Sequence, residues 1–222
     1  FETVFEEVVS SNDNQNIFDN TLEGARQLQA EWIEYKTTVK AQKAIEKLRL
    51  RDVYEKIQQG LEANNRPRFV PPEKPEDIER LWGNMEAGEK TYEQKIEDEL
   101  GRQEKLYSLV RAFAAEKSEV ENWIAKKNAH IHSITPADNL DASRLKLMQL
   151  DVSDREYSSF QPHIQEIQNI SQQIHELNCI ESQRIGDETA QILAQWKELE
   201  TVSAAKRQEL SNSLSSEQKK EE

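Results

Sequence analysis

Apolar residues recur at spacings of three and four along most of the chain, a pattern that predicts amphipathic helices. The pattern is clear at Ile78, Trp82 and Met85. No proline interrupts it between Glu76 and Thr135. Internal glycines weaken a helix by about 1 kcal/mol each without ending it. We therefore predict one long helix across residues 76–135.

Three further helices are predicted on either side of it. One runs from about Asp19 to Ala63 and stops at the proline-rich stretch 64–75. The next follows "HSITPADNLDAS" at 132–143 and is bent by Pro162. The last begins after "NCIESQ", and its tail from Ser211 is expected to fray because most apolar residues are lost there.

Two tryptophan-centred segments repeat one another at half the chain's length. "IERLWGNMEAGEK" at 78–90 aligns with "ILAQWKELETVSA" at 192–204, which places Trp82 on Trp196. A helix with one apolar stripe must bury it, and three such helices bury theirs together. The repeat predicts two tandem three-helix units that share the long helix, with Trp82, Trp123 and Trp196 as core residues.

Composition narrows the function classes. Glycine and proline number six each in 222 residues, and 32% of the residues are charged, which favours long helices over a turn-rich β protein. A net charge of −13 argues against nucleic acid as a partner. The absence of an apolar run of ~20 residues argues against membrane insertion. The single cysteine, Cys179, fits a reducing cytoplasm.

Several segments resemble the rod of alpha-actinin, a member of the spectrin-repeat family. They are "NNRPRFVP", "DIERLWGNMEAGEKTYEQ", "ELGRQEKLYSLVRAFAAEKSEVENW" and "ILAQWKELETVSAAKRQELS". The resemblance implies an all-α fold of two spectrin-like coiled-coil repeats joined by a continuous helix. We expect repeat 1 at 1–95, lacking most of its first helix, repeat 2 at 96–213, and a polar tail at 214–222. The start at Phe1 suggests a fragment of a longer rod or a shortened rod.

The resemblance also implies a function. It is that of the structural rod of a cytoplasmic, cytoskeletal actin-crosslinking protein, which forms an antiparallel homodimer and spaces two actin-binding heads. F-actin would bind through an N-terminal domain that is absent from this sequence. A monomeric spectrin-repeat spacer or docking platform, as in plakin- or dystrophin-like scaffolds, is the alternative.

Charge offers an argument for the antiparallel dimer. Residues 21–70 carry ten Lys or Arg against seven Asp or Glu, a net of +3, and residues 133–180 carry three against seven, a net of −4. If the basic stretch of one chain lay against the acidic stretch of the other, their attraction would favour a head-to-tail register. An equally good interpretation is that both stretches are ordinary solvated helix faces. Repeat 1 is also expected to expose apolar surface at Trp32, Tyr35 and Val39 unless a dimer partner or a preceding helix covers it, because Phe1–Val9 is too short. The candidate interface residues are Trp32, Tyr35, Val39, Lys36, Lys40, Lys43, Asp151, Asp154 and Glu156.

No pattern of catalytic or metal-binding residues stands out. The four histidines at 130, 132, 163 and 175 show no acidic or cysteine partners at ligand spacing. The Asn- and Asp-rich stretch at 10–20 lacks the central Gly and closing Glu of an EF-hand loop. We expect no catalytic residues, no cofactor and no metal, and hence not an enzyme.

Overall fold

The computed structural model describes residues 20–221, and all the regular structure there is helical. Helix α1 spans Leu22–Tyr35 and continues through a π-helical segment, Lys36–Lys40, into α2, Ala41–Ala63. Helix α3 spans Pro75–Ser133, α4 Leu140–Glu176 and α5 Glu181–Glu221. The segment Phe1–Val9, predicted to be a remnant of the first helix of repeat 1, and the loop after it lie outside the described residues.

Short polar residues set the helix ends. The Thr21 hydroxyl accepts a hydrogen bond from the Gly24 N–H at 3.0 Å and caps α1. The Asn139 side chain does the same for α4, accepting from the Ala142 N–H at 2.8 Å. Asn65 and Asn178 follow α2 and α4 with φ of 52° and 47°, a left-handed conformation that asparagine tolerates and that ends a helix.

The chain divides into two compact units at Lys105 and Leu106, inside α3. In unit 1, α1, the π segment and α2 run antiparallel to the first part of α3. Trp32 meets the Tyr92 ring edge-on at 5.1 Å between ring centroids, and Lys47 pairs with Glu79 at 2.5 Å. Contacts between progressively later residues of α1 and α2 and progressively earlier residues of α3 establish this antiparallel pairing.

The loop between α2 and α3 is held by one side chain. The Gln58 amide accepts from the Phe69 N–H at 3.2 Å and donates to the Phe69 carbonyl at 2.6 Å. Gln58 is itself buried. A paired amide of this kind satisfies loop backbone groups that would otherwise be left without partners.

Unit 2 is a three-helix bundle formed by the rest of α3, by α4 and by α5. Its core is one continuous cluster of side chains at helical spacing. The fully covered members are Phe113, Val120, Ile131, Leu150, Ile167, Ile174, Ile185, Ile192 and Leu210. Burial of this many apolar side chains, at about 1.5–3 kcal/mol each, is the main source of stability for unit 2.

The prediction of an all-α fold of long packed helices is confirmed in the part of the chain that the structure describes. Helix α3 passes Gly83, Gly88 and Gly101 without a break, and α4 contains Pro162 as expected. The unit boundary lies ten residues beyond the expected one at 95/96.

The predicted fraying of the tail is wrong. Helix α5 continues through 211–221 to Glu221. Leu210 is fully buried, and the residues after it include neither Gly nor Pro. Extending an existing helix is much easier than starting one, so a polar sequence without breakers stays helical beyond the last core residue.

Candidate interaction surfaces

An aromatic cluster fills one level of the unit 2 bundle. The Trp123 ring stacks on Phe160 at 4.4 Å and on Trp196 at 5.3 Å between centroids. Tyr157 meets both indoles edge-on, at 5.3 and 5.4 Å. Trp196 is 6% exposed, whereas Trp123 is half-buried. Each of the three helices of the bundle contributes at least one ring, so the cluster joins all of them.

Burial raises the pKa of Tyr157 to about 12, and the nearby Asp154 and Glu200 carboxylates add to the effect. The phenol therefore stays neutral in the folded protein well above the pH at which a solvated tyrosine ionises.

Trp82, in unit 1, has a different environment from Trp196. Its indole is half-buried, and the Lys47 ammonium lies 5.0 Å from the ring centroid. The same ammonium pairs with Glu79 at 2.5 Å. Trp82 thus packs under a lysine of α2 rather than among apolar side chains from three helices.

A partly buried cluster of charges joins the π segment to α3. The Tyr35 hydroxyl donates to the Glu89 carboxylate at 2.8 Å, and the Lys40 ammonium pairs with the same carboxylate. Glu89 is 4% exposed. Burial opposes the charge of Lys40, but the hydrogen bond and charge of Glu89 outweigh it, and the pKa of Lys40 is raised. Burial, then the hydrogen bond to Glu89, raises the pKa of Tyr35.

The basic residues proposed for the dimer interface have partners within unit 1. Lys36 pairs with Glu93, and this hydrogen bond holds the pKa of the Glu93 carboxyl below its usual range. Lys40 pairs with Glu89, and Lys43 lies 2.9 Å from the Glu46 carboxylate on its own helix. None of the three lysines needs a second chain to neutralise it.

The acidic residues proposed for the interface likewise have partners within unit 2. The Arg207 guanidinium lies 2.6 Å from both the Asp151 and the Asp154 carboxylates. Asp154 also accepts from the Ser203 hydroxyl at 2.6 Å. Glu156 pairs with Lys127. At these six positions, therefore, no charge is left unpaired for the expected antiparallel register.

The expectation that Trp32 is uncovered surface is wrong. It is 6% exposed, stacked on Tyr35 at 5.2 Å and edge-on to Tyr92. The tyrosine of α3 supplies a cover that spacing along α1 does not reveal. Tyr35 is half-buried, and Val39 is exposed as expected. A role for these residues in a dimer stays a prediction.

An exposed apolar stripe on α2 was missed as a surface. Leu50, Val53 and Ile57 are 54%, 53% and 43% exposed and lie at i, i+3 and i+7. The spacing shows that they share a helix face. In the part of unit 1 that the structure describes, ten large apolar side chains are exposed, namely Ile33, Val39, Ile45, Leu48, Leu50, Val53, Ile57, Phe69, Val70 and Leu81.

His163 has acidic neighbours that sequence spacing did not reveal. Its Nδ1 lies 2.5 Å from the Glu116 carboxylate, and the ligand atoms of Glu116, Glu119 and His163 all lie within 4.8 Å of one another. The premise that no acids converge on a histidine is therefore wrong. The histidine ring also stacks on Phe160 at 4.4 Å, so the contact with Glu116 and this ring packing account for its position.

Among residues 20–221, no helix combines the length and apolar character that crossing a membrane requires.

Comparison with known protein families identifies the kind of repeat that unit 2 forms. The spectrin repeat family model matches residues 108–212, nearly all of unit 2. Unit 2 is thus a spectrin repeat, in agreement with its three-helix core and its tryptophans.

The wider similarity is to alpha-actinin. The chain is 27% identical over 196 residues to alpha-actinin-1 of Gallus gallus and to that of Homo sapiens, which covers 86% of this chain and 22% of each relative. Alpha-actinin-4 of Rattus norvegicus is 26% identical over 193 residues. The expected resemblance to the alpha-actinin rod is confirmed, and the chain spans about a fifth of the length of these relatives.

Proposed function

We propose that the chain is a structural rod of an actin-crosslinking protein. In this proposal two copies associate antiparallel, in the cytoplasm, and set the spacing between two actin-binding heads. The heads lie outside this sequence, so F-actin is a partner of the whole protein and not of these residues. The rod itself carries out no reaction.

Similarity to alpha-actinin over 86% of the chain supports the class of function. The observation that carries the dimer is the uneven burial of the two units. Among residues 20–105, unit 1 has three buried apolar residues, Ala25, Trp32 and Ile96, and ten exposed large ones. Leu50, Val53 and Ile57 share one face of α2, and an exposed apolar patch on a soluble protein often marks an interaction site.

We propose that a second copy covers this surface, with the stripe Leu50, Val53 and Ile57 at its centre. In an antiparallel dimer the stripe of each protomer would lie against unit 2 of its partner, twice by symmetry. The stripe replaces the charge register as the main source of affinity, because the lysines and acids of that register are already paired within their own units.

The same pairing gives the alternative its support. The predicted interface charges are paired within their own units, so they need no second copy as a partner, as expected for a monomeric spectrin-repeat spacer. The exposed stripe would then be a docking platform for another scaffold protein. The two functions differ in one measurable property, the mass in solution.

Light scattering on a sizing column tests the proposal. We expect a mass near twice 25.8 kDa at low and at high salt, since burial of apolar surface is little screened by ions. The double variant Leu50→Glu, Val53→Glu should weaken the dimer by about 100-fold or more, because two carboxylates would lose water at the interface. Both positions are exposed, so the monomer should keep its helix content.

Ile180→Glu is the matched control, since Ile180 is 90% exposed and lies in unit 2 outside the proposed stripe. Its dimer should be unchanged. A monomeric wild-type chain at high concentration would refute the dimer and favour the spacer. If the dimer instead dissociates in high salt and the two stripe substitutions do not weaken it, the opposed charges would again explain the antiparallel register.

A further inference from the structure

A groove runs between α3 and α4 on the surface of unit 2. Its volume is about 930 Å³, and Trp123 and Ile134 line its α3 side. Leu145, Met148 and Val152 line the α4 side. The α3 side from Trp123 to Ile134 and the α4 side from Leu145 to Glu156 each cover twelve residues, whose eleven rises of 1.5 Å give about 16 Å. A partner helix of three turns has that length.

The α4 wall of this α3–α4 groove is apolar and open to solvent. Leu145, Met148 and Val152 are 56%, 63% and 58% exposed. They recur at i, i+3 and i+7, the spacing with which an amphipathic helix packs against another. Among the described residues, unit 2 exposes few other large apolar side chains. Its exposed apolar surface is therefore concentrated at this groove.

The rim of the groove is basic although the chain as a whole has a net charge of −13. Lys126 stands on α3 and Lys146 on α4. Among the described residues that line the groove, Glu156 is the one carboxylate, and it is paired with Lys127. Lys127 also donates to the Ser153 hydroxyl at 3.0 Å. Lys126 and Lys146 form no ion pair with the described carboxylates, so they are available to a partner.

We propose that the α3–α4 groove binds an acidic amphipathic helix of a partner protein. The apolar face of that helix packs on Leu145, Met148 and Val152, and its carboxylates pair with Lys126 and Lys146. The occupant is argued from charge: an acidic helix meets two unpaired lysines on opposite walls, whereas a basic one meets repulsion.

Two other occupants fit less well. Residues 21–70 of a second copy carry a net charge of +3 and would be repelled by the basic rim. A flat anionic membrane would not enter a groove between two helices, so its headgroups would not reach Trp123.

Fluorescence anisotropy with a designed probe tests the proposal on the full chain. The probe is a fluorescein-labelled 18-residue peptide with leucines at alternating spacings of three and four and glutamates at the positions that flank the leucine face on both sides. Its match replaces every glutamate by lysine. We expect the glutamate peptide to bind at least 10-fold more tightly than the lysine peptide. Met148→Glu should weaken the glutamate peptide by 10-fold or more, and the double variant Lys126→Glu, Lys146→Glu should reverse the preference.

Ile180→Glu serves again as the control and should leave peptide binding unchanged. Equal binding of the two peptides, or a preference that survives the charge reversal, would overturn the proposal. So would loss of the dimer in Met148→Glu, which would assign the groove to a second copy. Sedimentation of the wild-type chain, but not Met148→Glu, with phosphatidylserine vesicles would assign it to a lipid surface.

Discussion

At the scale of single residues, the four tryptophans have different environments, although each lies in a similar pattern of apolar residues along its helix. Trp32 and Trp196 are each 6% exposed, whereas Trp82 and Trp123 are half-buried. Trp196 also donates its indole N–H to Glu200 at 2.9 Å. Removing a buried ring costs the most because it leaves a cavity among packed side chains.

Trp196→Ala should therefore lower the free energy of unfolding of unit 2 by about 3–5 kcal/mol. Trp82→Ala should cost less, since the indole of Trp82 is only partly covered and lies under Lys47. Urea denaturation followed by far-ultraviolet circular dichroism measures both. A cost below about 1 kcal/mol for Trp196→Ala would mean that the aromatic cluster does not support the bundle.

The neutral phenol of Tyr157 predicts a loss of stability at alkaline pH. Its folded pKa of about 12 lies above the ordinary value of 10.0, so the stabilisation is complete below pH 10 and is lost as the pH rises from 10 towards 12. The unfolded chain gives up this proton first, which makes the slope negative. We expect Tyr157→Phe to flatten that decline in urea titrations at pH 9, 10 and 11. If stability declined as steeply with pH in Tyr157→Phe, the raised pKa of Tyr157 would not be its cause.

At the scale of the elements, the π segment Lys36–Lys40 is the one departure from regular helix between Leu22 and Ala63. The Thr37 hydroxyl donates to the Ile33 carbonyl at 2.8 Å and the Thr38 hydroxyl to the Glu34 carbonyl at 2.6 Å. These bonds stabilise the turn that is wider by one residue. The segment presents Lys36 and Lys40 to Glu93 and Glu89 on α3.

A π segment corresponds to an α-helix with one residue inserted, so removing one residue should restore the α-helix. After deletion of Thr38, we expect the same faces of α1 and α2 to pack on α3. The stability of unit 1 should change by no more than about 1 kcal/mol. Deletion of Ala44, inside regular α2, should instead rotate the flanking faces by about 100° and melt unit 1. Thermal melts compare them, and equal damage from both would refute the insertion model.

Periodicity and chain breakers were sufficient to predict the helices, because prolines at 67–75 and capping residues such as Asn139 act locally. They did not predict the π segment, whose extra residue leaves the apolar spacing almost unchanged. Nor did they predict that Tyr92 covers Trp32 or that Arg207 pairs with Asp154. A spacing shows which face a side chain occupies, but its partners lie on helices distant in sequence.

At the scale of the whole molecule, the two units differ in their cores. Of the buried apolar residues within 20–221, unit 2 holds sixteen and unit 1 three. Since stability follows buried apolar area, the two units should not unfold together.

Calorimetry should show two transitions, with unit 1 melting first. The lower transition should rise with protein concentration, because association covers the apolar face of unit 1 and stabilises it by mass action. The upper one should stay constant. Emission from Trp32 and Trp82, isolated by replacing Trp123 and Trp196 with Phe, would report the first transition. A single transition independent of concentration would contradict this view.

The thin core of unit 1 also has a mechanical consequence. If the chain carries tension between two attached heads, the unit with fewer buried side chains yields at the lower force. Unit 1 would then lengthen first and act as a reversible extension element while the spectrin repeat of unit 2 stays folded. The load that a filament crosslink survives would depend on whether the exposed stripe of α2 is covered at the moment of pulling.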